Sequence, residues 1–150
     1  MLSMNRVQRI MRKNIIMSDE ILGIGNDIIE IERIRKSIDT HGYRLLARLF
    51  STAELDYCLK HKDPVPHLAG RFSAKEAIVK AFGSGFGEHA SWLDIEILND
   101  DLGKPCATFS EKIKERFNNP SVLLSISHCQ LYATAVAIWT KRPSLSLKRS

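Results

Sequence analysis

Four charges crowd one short stretch of this sequence, RFSAKEAIVKAFGSGFG: Arg71, Lys75, Glu76 and Lys80. At helical spacing Ala74, Ile78, Ala81 and Phe82 share one face, with Val79 at its edge. Glu76 and Lys80 then lie one turn apart on a lane flanked by small residues, while Arg71 and Lys75 fall inside or beside the apolar sector. Such a cluster is either a functional site with perturbed charges or a set of structural pairs, because long basic side chains snorkel and an i,i+4 Glu–Lys pair is worth about 0.2–0.5 kcal/mol. A further carboxylate, Asp27, sits in ILGIGNDIIE, a stretch that otherwise alternates as an apolar strand. A buried aspartate is paired, hydrogen-bonded or bound to metal; one at a strand end is a turn or cap residue. His128, closing the alternating run SVLLSISH, could act as a general base, a phosphate ligand or a hydrogen-bonded core histidine. Gly83 and Gly85 end the charged helix in a flexible loop that could admit a phosphate to backbone N–H groups or simply terminate the helix.

These residues need elements to position them. Ile21–Glu30 reads as a buried strand, with Leu22, Ile24 and Ile28 on one face and Gly23, Gly25, Asp27 and Ile29 on the other. From Ile31 the period becomes helical, with a stop at Gly42; Tyr43–Phe50 reads as a second short helix whose Arg44 and Arg48 form a basic lane. Ser51 and Glu54 make a capping-box pattern opening a third helix over Thr52–Lys60. His61–Pro66 is a loop, and the charged helix starts at about Pro66 or His67. Trp92–Leu98 reads as a strand, with Leu93, Ile95 and Ile97 on one face. A short strand near Cys106–Phe109 and a basic helix over Ser110–Phe117 follow. Ser121–His128 and Leu131–Thr140 form an antiparallel pair around a tight hairpin, and the small-residue composition of the latter predicts a well-covered strand. Neighbouring strand residues face opposite ways, so Cys129 and His128 do not form a dyad.

The 150 residues fit one domain, and no apolar run approaches the roughly 20 residues of a membrane span. Three cysteines without a CxxC spacing disfavour a disulfide framework or zinc knuckle and suit a reducing cytoplasm. The net charge of +5 points to acidic partners, phosphate-bearing ligands or an acidic protein. Nucleic acid is a poor candidate, because the few aromatics are scattered over apolar faces instead of along a basic one. GIGNDI lacks the third glycine and the crossover unit of a dinucleotide fingerprint. Residues 1–20 read as a basic N-terminal extension in preference to a targeting peptide, 21–140 as the domain, and 141–150 as a basic C-terminal tail.

Three separated strings, GIGNDIIEIERI, AGRFSAKEAIVKAFGSG and SISH followed by a small-residue strand, resemble the holo-[acyl-carrier-protein] synthase family in order and spacing. FSTAELDYC and the GKP at Gly103–Pro105 fit as well, and the likeness spans about Ile21 to Trp139. The family belongs to the 4′-phosphopantetheinyl transferases. The resemblance implies an α+β fold, an antiparallel sheet packed with helices, and transfer of phosphopantetheine from coenzyme A to a serine of acyl carrier protein for fatty acid biosynthesis. By the same motif matches Asp27 and Glu76 would hold Mg²⁺, and Lys80 would stabilise charge on the pyrophosphate and the departing oxygen. Arg71, Lys75, Lys80, Gly83, Gly85 and His128 would line the coenzyme A pocket. The base that takes the serine proton would be Glu76 or a metal-bound water. Arg33, Arg44 and Arg48 match the basic region used against the acidic carrier protein. The resemblance further implies a homotrimer with active sites between subunits. A broader-spectrum relative, which usually resembles two fused copies of such a unit, is disfavoured by the single copy. Both terminal extensions depart from the family pattern.

Overall fold

The structure is a computed structural model that describes residues 20–141; the two predicted extensions fall almost wholly outside the described residues. Ile21–Glu30 is the first strand, β1, and the switch of apolar period at Ile31 turns the chain directly into α1, Ile31–Leu49. Gly42, at φ 61° and ψ −151°, breaks α1 into two helical pieces, so the two expected helices are present with a kink between them. Ser51 Oγ accepts the Glu54 amide at 3.2 Å and the Glu54 carboxylate accepts the Ser51 amide at 2.8 Å, the capping box that opens α2, Thr52–Leu59. The charged helix is α3, Val65–Phe82. It begins slightly earlier than expected because Asp63 Oδ1 accepts the Val65 amide at 3.1 Å and Pro66 fits a first helical turn. Gly83 ends it in the left-handed conformation, φ 71°.

Beyond α3 come β2 (Ile95–Asn99), β3 (Pro105–Phe109), α4 (Glu111–Arg116), β4 (Ser121–His128) and β5 (Tyr132–Thr140). Trp92–Asp94, expected as the start of β2, is instead a single 3₁₀ turn. Asp94 accepts from the Ser91 amide at 2.8 Å and from the Ser110 hydroxyl at 2.7 Å, which curls the chain and leaves Leu93 exposed while Ile95 and Ile97 are buried.

Two antiparallel sheets result, one ordered β1-β5-β4 and the other β2-β3. With its helices the chain is α+β, as expected. Helix α3 joins the layers. Ala74, Ala77, Ile78 and Ala81 on the helix pack with Ala135 and Ala137 of β5 and with Ile95 and Ile97 of β2. Alanines on both sides let helix and sheet approach closely. Among the described residues nothing covers the opposite face of the three-stranded sheet, with Ile24 64% and Ile28 63% exposed and Leu123, Tyr132 and Val136 beside them. The expectation that β1 and β5 are buried is therefore corrected: each is covered on one face only, because the helices lie on one side of the sheet.

Candidate active site

Two glycines place Asp27. A Cβ on Gly25 would lie 1.8 Å from the Ala77 carbonyl oxygen, and one on Gly23 would lie 2.0 Å from that of Ala81. Strand β1 thus presses its backbone against α3, an approach that any side chain would block. Residues 23, 25 and 27 share a face, so the contact carries Asp27 to the flank of the helix that presents Glu76 and Lys80. The β1 backbone is fixed from the other side by β5, where Thr134 Oγ1 donates to the Asp27 carbonyl at 2.7 Å and Asn26 Nδ2 donates to the Ala135 carbonyl at 3.0 Å.

Lys80 Nζ donates to Asp27 Oδ1 at 2.9 Å and to the Asn26 carbonyl at 3.1 Å. It does not close the i,i+4 pair with Glu76. That carboxyl is held above the ordinary carboxylate range, first by burial and then by the negative charge of Asp27, with Lys80 opposing. Asp27 and Glu76 line one cavity of about 400 Å³ between α1 and α3, with Arg33 and Ser37 near them and Leu46 and Phe72 among its apolar walls. Two carboxylates sharing a cavity, one of them electrostatically strained, form an arrangement that a cation relieves.

The other expected site residues separate into groups. Lys75 does not reach a pocket: it is fully buried, and its ammonium donates to Glu54 Oε2 at 2.8 Å, Leu49 O at 2.7 Å and Trp92 O at 3.0 Å. Burial pulls its pKa down while Glu54 opposes the shift. Arg71 is turned inward as well, with Nε donating to Ile97 O at 3.1 Å and the guanidinium 4.0 Å above the Tyr57 ring. The Lys75 ammonium is thus committed inside the chain, while Arg71 commits Nε there and approaches Asn99 Oδ1 at 3.4 Å with one terminal nitrogen. Gly83 and Gly85 adopt positive φ, 71° and 61°, with open space where a Cβ would stand. Arg33, Arg44 and Arg48 are exposed on α1. His128 is exposed at the end of β4. Asp27 pairs in register with Ala135 on β5, and His128 with Ala133. Strand β5 therefore stands between them, and His128 does not join the carboxylates within one chain.

Sequence reasoning passed over Glu54 as more than a cap, and over His61 and His67, whose rings stack at 3.6 Å. It placed Gly23 and Gly25 on the Asp27 face of the strand but drew from them only a failed nucleotide fingerprint. Glycines alternating with Asp27 on one strand face were the available signal for close packing; for the histidines no local signal existed.

Residues 23–137 match the model of the 4′-phosphopantetheinyl transferase superfamily, and the chain belongs to it. Within that superfamily its resemblance is to holo-[acyl-carrier-protein] synthases. It is 57% identical over 119 residues to the holo-[acyl-carrier-protein] synthase of Protochlamydia amoebophila (strain UWE25), covering 79% of this chain and 98% of that relative. The crystal structure of the Helicobacter pylori holo-[acyl-carrier-protein] synthase in complex with coenzyme A matches with a TM-score of 0.72 at 37% identity, covering 77% of this chain and 98% of that one. The Bacillus anthracis str. Ames enzyme, in complex with CoA (3′,5′-ADP), matches with a TM-score of 0.70 at 39% identity, covering 80% and 96%.

Proposed function

We propose that this chain transfers the 4′-phosphopantetheine group of coenzyme A to a serine of an apo acyl carrier protein, yielding the holo carrier protein and adenosine 3′,5′-bisphosphate. The observation that carries this reading is the convergence of Asp27, Glu76 and Lys80, 49 residues or more apart from β1 to α3, on one flank of the helix. High identity to holo-[acyl-carrier-protein] synthases, two of them crystallised with coenzyme A or its nucleotide part, supports it.

Asp27 and Glu76 fit Mg²⁺. Their hard oxygens share a cavity, and among the described residues no three metal-ligating side chains converge, which suits an ion that keeps waters and substrate phosphates in its shell. When bound, Mg²⁺ would neutralise charge on the pyrophosphate. Lys80, half exposed, can turn its ammonium from Asp27 to the pyrophosphate and the departing oxygen. In the transfer the serine Oγ bonds to the phosphorus that carries pantetheine, and the bond from that phosphorus to the bridging oxygen breaks. The bridging oxygen leaves on adenosine 3′,5′-bisphosphate. The serine proton would pass to Glu76 or to a metal-bound water.

One chain offers two separate walls, Asp27 with Glu76 and, across β5, His128. A homotrimer buried along the exposed apolar sheet face would set the His128 wall of one copy against the coenzyme held at the carboxylates and the adjoining glycine loop, Gly83 and Gly85, of another. Arg33, Arg44 and Arg48, exposed on α1, suit an acidic carrier protein, whose encounter they would accelerate in a salt-sensitive way. The process served is fatty acid biosynthesis in the cytoplasm.

Incubation with coenzyme A, Mg²⁺ and apo carrier protein, followed by weighing the carrier, tests the reaction. A mass gain of one phosphopantetheine is expected, and an unchanged carrier refutes it. Sizing the particle in solution tests the trimer, which a monomer would rule out.

A further inference from the structure

A row of rings runs from α2 to the end of β4. Tyr57 and His61 lie 5.1 Å apart, His61 stacks on His67 at 3.6 Å and 26°, and His67 meets His128 edge-on at 5.6 Å. Arg71 closes the far end over Tyr57, and the Tyr57 hydroxyl accepts from Asn99 Nδ2 at 3.1 Å. His61 Nδ1 lies 3.1 Å from the Tyr57 carbonyl and 3.3 Å from that of Cys58, so this nitrogen carries the proton and donates. Among the described residues, neither His67 nor His128 makes a side-chain hydrogen bond, which leaves both rings with donor capacity for a ligand.

The charges around His67 resist a second proton in the cluster. His61 and Asp63 face it from the turn between α2 and α3, His128 from β4 and Arg71 from α3 itself. The one acid among them, Asp63, is engaged by Arg35 at 2.8 Å. His67 also stands in the first turn of α3, where the helix dipole disfavours a cation. Its pKa accordingly lies below the ordinary histidine value, through burial first and then through His61, His128 and Arg71. Three imidazoles with no free carboxylate form a proton reservoir that an anion can fill, because a nearby negative charge favours the cationic ring.

We propose that the His61–His67–His128 cluster takes up a proton when coenzyme A docks its phosphates beside it, so that His61 and His67 are further coenzyme-binding determinants and make affinity fall as pH rises through neutrality. The inference rests on the transferase reading above, in which His128 lines the coenzyme pocket. Its sign follows from linkage: the bound state binds more protons than the free one, so binding is strongest at low pH and weakens as the imidazoles lose their protons. Stacking explains why one more histidine matters, since His67 cannot charge independently of the ring that it touches.

Calorimetric titration of coenzyme A into the full chain with Mg²⁺, in buffers of different ionisation heat at about pH 7, counts the protons exchanged. The coenzyme's own phosphomonoester titrates near pH 6, so the difference between the wild type and His67→Asn or His61→Asn isolates the cluster. His61 lies outside any helix, so His61→Asn keeps the test decisive if His67→Asn disturbs the start of α3. The expected result is an uptake in the wild type larger by roughly half a proton, with variant affinities about 3- to 10-fold weaker near pH 6.5 and converging near pH 8.5. Equal proton counts in all three proteins, or a loss of affinity independent of pH, overturns the linkage while the transferase reading stands. No coenzyme binding by any of them overturns the transferase reading and this inference with it.

Discussion

Lys75 and Glu76 are adjacent on α3 yet enter different surroundings, and the two flanks handle charge in opposite ways. On one flank, Lys75 is enclosed by Glu54 and two carbonyl oxygens, while Glu54 accepts further from the Ile97 amide at 2.8 Å. Every donor there has a protein acceptor, and the knot ties α2, α3 and β2 together. On the other flank, Glu76 and Asp27 bring like charges to one cavity with Lys80 as a half-exposed counter-charge. The first arrangement is complete and therefore structural. The second retains a like-charge repulsion that a bound cation would relieve.

Substitutions can break this contrast, and the largest effect is expected on the structural flank. Lys75→Met strands the Glu54 carboxylate inside the protein, and urea denaturation should register a loss of about 3–5 kcal/mol. A stability near wild type would mean that the pair is not the buried tie described. Next is Glu76→Ala, for which carrier modification should slow by at least about 10–100-fold, or about 1.4–2.7 kcal/mol in barrier, while the urea midpoint barely moves. Comparable activity would remove Glu76 from the metal site. Gly25→Ala probes the contact between strand and helix that unites the second flank. The added methyl collides with the Ala77 carbonyl, so a stability loss of about 1–3 kcal/mol should accompany slower transfer. Full activity there would show that Asp27 does not depend on that approach. The smallest effect is expected from Arg44→Glu on the surface of α1. It should raise the KM for carrier protein, more at low salt than at high, without altering coenzyme A affinity. Equal loss toward both substrates would place Arg44 elsewhere in the machinery.

Much of the fold was legible along the chain because its signals are local. The Ser51–Glu54 box, the stop at Gly83, the break at Gly42 and the β4–β5 hairpin all appear where spacing and turn chemistry placed them. Trp92–Asp94 misled, because alternation of Leu93 with Ile95 and Ile97 cannot reveal that Asp94 folds back onto Ser91 and reaches Ser110. Periodicity also cannot say whether one or both faces of a strand find a cover, and so β1 and β5 were expected to be buried more fully than they are.

The sequence by itself determined which side chains could do chemistry: Asp27 on a strand face, Glu76 and Lys80 one turn apart, and the arginines of the first helical region. These are matters of residue type and of periods set by the backbone. Only the tertiary structure decided which charges remained available. It paired Lys80 with Asp27 across 53 residues, gave Lys75 to Glu54 across 21, turned Arg71 onto β2 and set His67 between His61, on which it stacks, and His128, which it meets edge-on. A charge is a site or a strut according to what surrounds it, because desolvation and the supply of partners set its energy, and both come from residues distant in the chain.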